Sequence, residues 1–168
     1  MIIMAIRNSW GSSVYVQDIM QTGPTTIQHH AKLREAIDLM TARHLQALMV
    51  VDEQQRFVGE ISALQMAKIL LPRNARVFIG DQPDASASET LLDLVSRLRP
   101  YLDRLVADFV DHDVPTVHAK TPLADALLLL RGGALRIPVT EGPDNRLVGA
   151  LSVLTVLRKV GEGAAAAA

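Results

Sequence analysis

Apolar residues recur at helical spacing over Lys32–Leu45, where Leu33, Ala36, Ile37 and Met40 share one face, and this pattern predicts an amphipathic helix. Ahead of it, Thr25–Gln28 is a brief β-branched run that predicts a strand, preceded by a lead-in Val16–Met20 and by the turn residues Gly23 and Pro24. Behind it, Leu48–Val51 is continuously apolar, as expected of a strand covered on both faces. The polar turn Asp52–Arg56 joins it to a second strand, Phe57–Ile61, so the two read as a hairpin. Ser62 then opens a final helix through Leu70, and Pro72 stops it.

The same order of elements returns 90 residues later. Val16, Asp18, Thr26, Leu33, Ala36, Arg56, Val58, Gly59, Ser62 and Leu64 recur as Val106, Asp108, Thr116, Leu123, Ala126, Arg146, Val148, Gly149, Ser152 and Leu154. A one-residue deletion after the helix of the second copy, restored in the following turn, keeps register. In this copy Thr121 is placed as the helix cap with Pro122 at the first helical position, and Gly132 and Gly133 end the helix. Ile137–Thr140 and Leu147–Leu151 form the strand pair, around the turn Glu141–Arg146. Each unit is therefore β-α-β-β-α. A duplicated unit too small to close a core alone packs on its copy, and a ligand is expected in the cleft between the two similar surfaces.

Between the copies, Ser86 and Glu89 have capping-box spacing. Behind them Leu91, Leu94, Val95, Leu98, Leu102 and Leu105 form an apolar stripe, which Pro100 kinks or splits. The expected organisation is a first unit over 1–71, a linker over 72–105, a second unit over 106–160 and a flexible tail over 161–168.

Composition narrows the function. Hydrophobic residues make up 49% of the 168 positions and aromatics 4%, so the core is aliphatic and offers few stacking platforms for single-stranded nucleic acid. The formal charge of −1 gives no drive toward nucleic acid or an anionic membrane. The absence of cysteine removes thiol nucleophiles, disulfides and Cys-based zinc sites. No apolar run reaches the ~18 residues of a spanning helix, so neither membrane insertion nor nucleic-acid binding is expected, and a cytoplasmic location is. There is no G-x-S-x-G, P-loop or G-x-G-x-x-G, and no nucleophile–base pair suggests itself, so the chain is not expected to be an enzyme.

The motifs resemble a tandem pair of CBS domains, the modules named after cystathionine β-synthase. The first copy carries Val16-x-Asp18-Ile19-Met20, Thr26-Ile27, Leu33-x-x-Ala36, Val50-Val51-Asp52 and Phe57-Val58-Gly59-x-Ile61-Ser62. The second carries Val106-x-Asp108-Phe109-Val110, Pro115-Thr116-Val117, Thr121-Pro122-Leu123-x-x-Ala126, Arg136-Ile137-Pro138-Val139 and Leu147-Val148-Gly149-x-Leu151-Ser152. The resemblance implies an α/β (α+β) fold, a pseudo-twofold pair of β-α-β-β-α units with an extra linker helix, often dimerised. It also implies a regulatory module that senses an adenosine-containing ligand such as AMP or ATP between the units. Such a module signals to a transporter, channel or enzyme and needs no cofactor.

Where the family binds adenosine nucleotides, a Ser or Thr opens the last helix and an Asp follows three residues later. The hydroxyl and helix N-terminus suit phosphate, and the carboxylate suits the ribose. Here the copies read Ser62-Ala-Leu-Gln65 and Ser152-Val-Leu-Thr155, keeping the hydroxyl and losing the carboxylate. Gln65 still offers a ribose hydrogen bond and Thr155 is shorter, so the first copy is the better site. Arg136 is a phosphate partner or an exposed arginine at a strand start. Thr26 and Thr116 stand where the family contacts base and ribose, or serve β-propensity alone. The alternative function is a ligand-free dimerisation scaffold.

Other polar clusters have plainer readings. His29 and His30 point to opposite faces if on a strand, and neither they nor His44, His112 and His118 show metal-ligand spacing, so no metal is expected. Asp108, Asp111 and Asp113 lack the glycine and glutamate of a calcium loop. Arg97, Arg99 and Arg104 are expected to be balanced by Glu89, Asp93 and Asp103.

Overall fold

Both repeats fold in the order strand, helix, strand, strand, helix, but each completes its core with residues from the other. The computed structural model describes residues 13–71 and 90–167. Repeat one comprises α1 (Val16–Ile19), β1 (Gln21–Thr22), β2 (Thr26–Gln28), α2 (Leu33–Arg43), β3 (Ala47–Val51), β4 (Phe57–Ser62) and α3 (Ala63–Leu70). The linker helix is α4 (Leu91–Leu98), followed by 3-10 turns at Arg99–Tyr101 and Val106–Phe109. Repeat two continues with β5 (Val117–His118), α5 (Leu123–Arg131), β6 (Arg136–Glu141), β7 (Arg146–Ser152) and α6 (Val153–Ala167).

Contacts divide the chain into two compact units. One holds residues 26–52, 58–71 and 90–112. Its sheet has the order β2-β3-β4, with β2 parallel to β3 in the register Ile27↔Val50. Its core is Ile27, Leu33, Ala36, Met40, Leu48, Val50 and Ile61, together with Val106 from the lead-in of repeat two. Val106 is fully buried there. The backbone holds it in place: Val106 N donates to Ala31 O at 2.8 Å and Ala107 N to His29 O at 2.9 Å. Further on, Asp111 N donates to Glu60 O at 2.8 Å and Glu60 N returns a bond to Asp111 O at 3.0 Å. This crossing explains Gly59, because a Cβ at that position would land on the Asp111 carbonyl and the Val110 side chain.

The other unit holds residues 13–25, 53–57 and 113–167. Its sheet has the order β1-β7-β6-β5. Strand β5 is parallel to β6, while β7 is antiparallel to β6 and to β1, the last in the register Thr22↔Gly149. Val16, from the lead-in of repeat one, is fully buried among Val117, Ala126, Ile137, Val139 and Leu151. Val16 N and Gln17 N donate to Thr121 O and Ala119 O, both at 2.9 Å. At Gly149 a Cβ would meet Met20 Sδ at 2.7 Å and Gln21 O at 3.0 Å. The two lead-ins carry the same Val-x-Asp pattern, and that pattern does not say which pairing occurs. In this second unit the hairpin tip 53–57 also meets its own copy. Phe57 N donates to Asn145 O at 2.9 Å and Leu147 N to Gln55 O at 3.0 Å, two bonds that interchange when the repeats are interchanged.

Several local expectations change. The lead-in Val16–Met20 contains a helical turn, Val16–Ile19, with Met20 as its C-cap. Pro122 is itself the N-cap of α5, with ψ 135°, and Thr121 Oγ1 instead accepts from His118 N at 3.1 Å. The expected flexible tail continues α6 as far as Ala167, as the high helix propensity of alanine favours. Ser86, Glu89 and Pro72 lie outside the described residues. Thr90 caps α4: its Oγ1 accepts from Asp93 N at 3.3 Å, and Asp93 Oδ2 accepts from Thr90 N at 2.9 Å. Beyond α4, Pro100 falls in a separate 3-10 turn, a split at the expected place. The linker stripe is only partly covered, since Leu91 is 76% exposed and Val95 48%. Asp103 pairs with Arg34 at 2.6 Å and Lys32 at 3.4 Å, Arg104 pairs with Asp108 at 3.0 Å, and the Arg97 guanidinium acts on the Asp93 carboxylate as expected.

Candidate ligand site

Ala63, Met66 and Ile69 of α3 pack against the core of their unit, and the start of this helix presents Ser62 and Gln65. Ser62 is extended, with φ −123° and ψ 153°, and N-caps the helix. Its Oγ accepts from Gln65 N at 3.2 Å, and Gln65 Oε1 accepts from Ser62 N at 2.8 Å and lies 3.3 Å from Ser62 Oγ. The glutamine carbonyl is thereby engaged by the cap, and its amide NH₂ remains the group for a ligand. Both residues are half-buried. Thr26, also half-buried, begins β2 opposite Met49 of β3.

Repeat two rebuilds this helix start with different chemistry. Ser152 Oγ accepts from Thr155 N at 3.2 Å, and the Ser152 and Thr155 hydroxyls share a bond at 2.9 Å. Arg136, the first residue of β6, stands directly opposite Ser152 in the β6–β7 ladder. The ladder thus sets an arginine opposite the serine that caps the helix, two residue types suited to phosphate. Ladder register puts Ala47 in the corresponding place of repeat one, so the first copy has no cation at that position. Thr116 lies exposed just ahead of β5 rather than within it. The fold therefore gathers Thr26, Ser62 and Gln65 into one unit and Thr116, Arg136, Ser152 and Thr155 into the other.

Three of the five histidines, His44, His112 and His118, take evident structural places. His29 and His30 sit in the turn after β2, not on a strand, and their rings meet edge-on at 5.3 Å. His44 is the left-handed C-cap of α2. His112 Nδ1 bonds Val58 O at 2.9 Å, and His118 Nδ1 bonds Thr140 O at 3.0 Å. A separate apolar groove of about 490 Å³ is lined by Ile37 and Met40 of α2, Met66 and Leu70 of α3, and Leu98 of α4. None of Thr26, Ser62 or Gln65 lines it. Sequence reasoning passed over this groove because its walls are contributed by three separated segments.

The family model that matches is the CBS domain, over residues 16–71 and again over 106–162. The chain belongs to the CBS domain family. A CBS-pair protein of Arabidopsis thaliana, CBSX2, is 21% identical with a TM-score of 0.69, covering 90% of this chain and 96% of that one. CBSX2 in complex with AMP is 23% identical, with a TM-score of 0.64 over 88% of this chain and 96% of that one. The CBS domain pair of protein MJ0100, in complex with 5-methylthioadenosine and S-adenosyl-L-methionine, is 18% identical with a TM-score of 0.61, covering 90% and 98%. These likenesses establish the tandem CBS fold. Among curated proteins, the A-adding tRNA nucleotidyltransferase of Aquifex aeolicus (strain VF5) is 26% identical over 148 residues, 88% of this chain. This chain spans 14% of that protein's length. Among the described residues no helix is long and apolar enough to cross a membrane.

Proposed function

We propose that this CBS pair is a regulatory module that binds an adenosine-containing nucleotide and passes its occupancy to a partner protein, a transporter, channel or enzyme, without performing chemistry. The observation that carries this reading is the twice-built, serine-capped helix start, with Arg136 set opposite Ser152 in one copy. The hydroxyls and helix N-termini receive phosphate, Arg136 adds charge, and Gln65 Nε2 and Thr155 Oγ1 face the ribose. Thr26 and Thr116 serve the base side. AMP, ATP, S-adenosylmethionine and methylthioadenosine are the ligands to try, and the CBS pairs described with AMP and with the last two support that choice. The module works as a cytoplasmic homodimer, neither inserted in a membrane nor bound to nucleic acid. By linkage, the signal it sends is no larger than the difference in ligand affinity between its two states.

A second reading, a ligand-free scaffold, rests on the same geometry. Gln65 Oε1 and Thr155 Oγ1 are already engaged by the cap serines, and both family carboxylates are missing. A thermal-shift series over the four adenosine compounds separates the two. A ligand at about a hundred times its dissociation constant stabilises by ~2.7 kcal/mol. A shift with any of them supports the sensor, and no shift with all four supports the scaffold.

A further inference from the structure

Each candidate site lies beside a strand crossing that belongs, along the chain, to the other repeat. Ser62 ends β4, and three residues earlier Gly59 admits the backbone of Asp111 with no room for a Cβ. From Asp111 the chain runs directly to Thr116, the candidate residue of repeat two. Ser152 ends β7, where Gly149 and Ala150 pair with Thr22 and Gln21. From Thr22 the chain runs directly to Thr26, the candidate residue of repeat one. The anchors upstream of both crossings, Val106 and Val16, are fully buried in the cores they visit.

We propose that the exchanged lead-ins form a crossed relay, in which displacement of one repeat's cap-serine strand is carried along the chain to the site strand of the other. The backbone ladders make the lead-in and its host strand one cooperative piece, and covalent continuity delivers the movement. The host, not the sequence repeat, then sets when each lead-in opens. Residues 106–111 open with β3 and β4, and residues 16–22 open with β6 and β7. The signalling use of this relay rests on the ligand-sensing reading. The relay itself does not.

Native-state hydrogen exchange on the full chain, over a series of low denaturant concentrations, reads it directly. The amides of Val106, Ala107 and Asp111 are expected to share the opening isotherm of β3–β4, and those of Val16 and Gln17 that of β6–β7. Val106→Ala is expected to speed exchange in β2, β3 and β4 by roughly tenfold and leave β6 and β7 unchanged. Lead-ins that open with their own repeat, or a single isotherm shared by all these amides, would overturn the proposal. The isotherms of the unaltered chain decide the matter even if the variant fails to fold. Repeating the exchange with saturating AMP separates the two claims. Protection at β4 together with 111–117 supports the use in signalling, and protection confined to one repeat overturns that use. No protection anywhere overturns the AMP reading and leaves the isotherms to judge the relay.

Discussion

Single residues decide the strand crossings, and the two glycines are not equivalent. At Gly59 a methyl group would strike main-chain atoms of Asp111, which can move only if the ladder with Glu60 breaks. At Gly149 the nearest atom is the sulfur of Met20, part of a flexible side chain, and the main-chain oxygen of Gln21 follows at 3.0 Å, farther off than the Asp111 oxygen stands from a Cβ at Gly59. Overpacking of this kind costs about 1–3 kcal/mol. Gly59→Ala is therefore expected at or above the top of that range and Gly149→Ala near its foot, measured by chemical denaturation of the full chain. Equal losses would show that the Asp111 crossing is looser than its geometry implies. Both glycines were visible in the sequence as recurring positions within apolar strands. Their reason was not, because the segment that crosses them lies some fifty residues downstream in one case and far upstream in the other.

Elements were legible where one pattern governs them. The α2 face of Leu33, Ala36 and Met40 is buried as its spacing requires, and β3 and β6 are buried runs as read. Boundaries failed where two residues competed for one role. Pro122 took the cap position from Thr121, whose hydroxyl serves the preceding turn. At α4 the Thr90–Asp93 pair forms the cap, one turn after the spacing that drew attention. Hydrogen bonds from the Thr90 hydroxyl, then from its backbone N–H, hold the Asp93 carboxyl below its ordinary value of 3.8. A depressed folded value means that the ionised carboxylate supports the helix start above that ordinary value. The support is lost as pH falls through the depressed one. Nuclear magnetic resonance titration of the Thr90 amide should therefore show its transition below 3.8 and should show none in Asp93→Asn. A Thr90 transition at the ordinary carboxylate value would contradict the cap.

At the scale of the molecule, the duplication and the family were readable from ordered, repeated motifs, whereas the exchange of lead-ins was not. The shared Val-x-Asp signature of the two lead-ins does not tell one repeat from the other, and the packed cores reveal the pairing. The candidate site was half legible. The cap serines stand where expected, but the engagement of Gln65 by Ser62 emerges only from the capping hydrogen bonds, and the register of Arg136 opposite Ser152 only from the ladder. Exposed apolar side chains on several helices, among them Leu128, Leu154 and Leu157, give a second copy a surface to cover. Light scattering at micromolar concentration is expected to return twice the chain mass, and monomer mass throughout would remove the homodimer.

Calorimetric titration of AMP into the unaltered protein, Gln65→Asp and Thr155→Asp tests the sensing claim most directly. Asp93 shows that an aspartate at this helical position can use one oxygen for the cap, taking both Thr90 bonds on Oδ2. At position 65 the other oxygen would then be free for the ribose. A charge-assisted hydrogen bond contributes ~1.5–3 kcal/mol, so Gln65→Asp is expected to tighten AMP binding roughly ten- to a hundredfold, with Thr155→Asp doing less. Absence of measurable heat from all three proteins would contradict the account and leave the scaffold in its place.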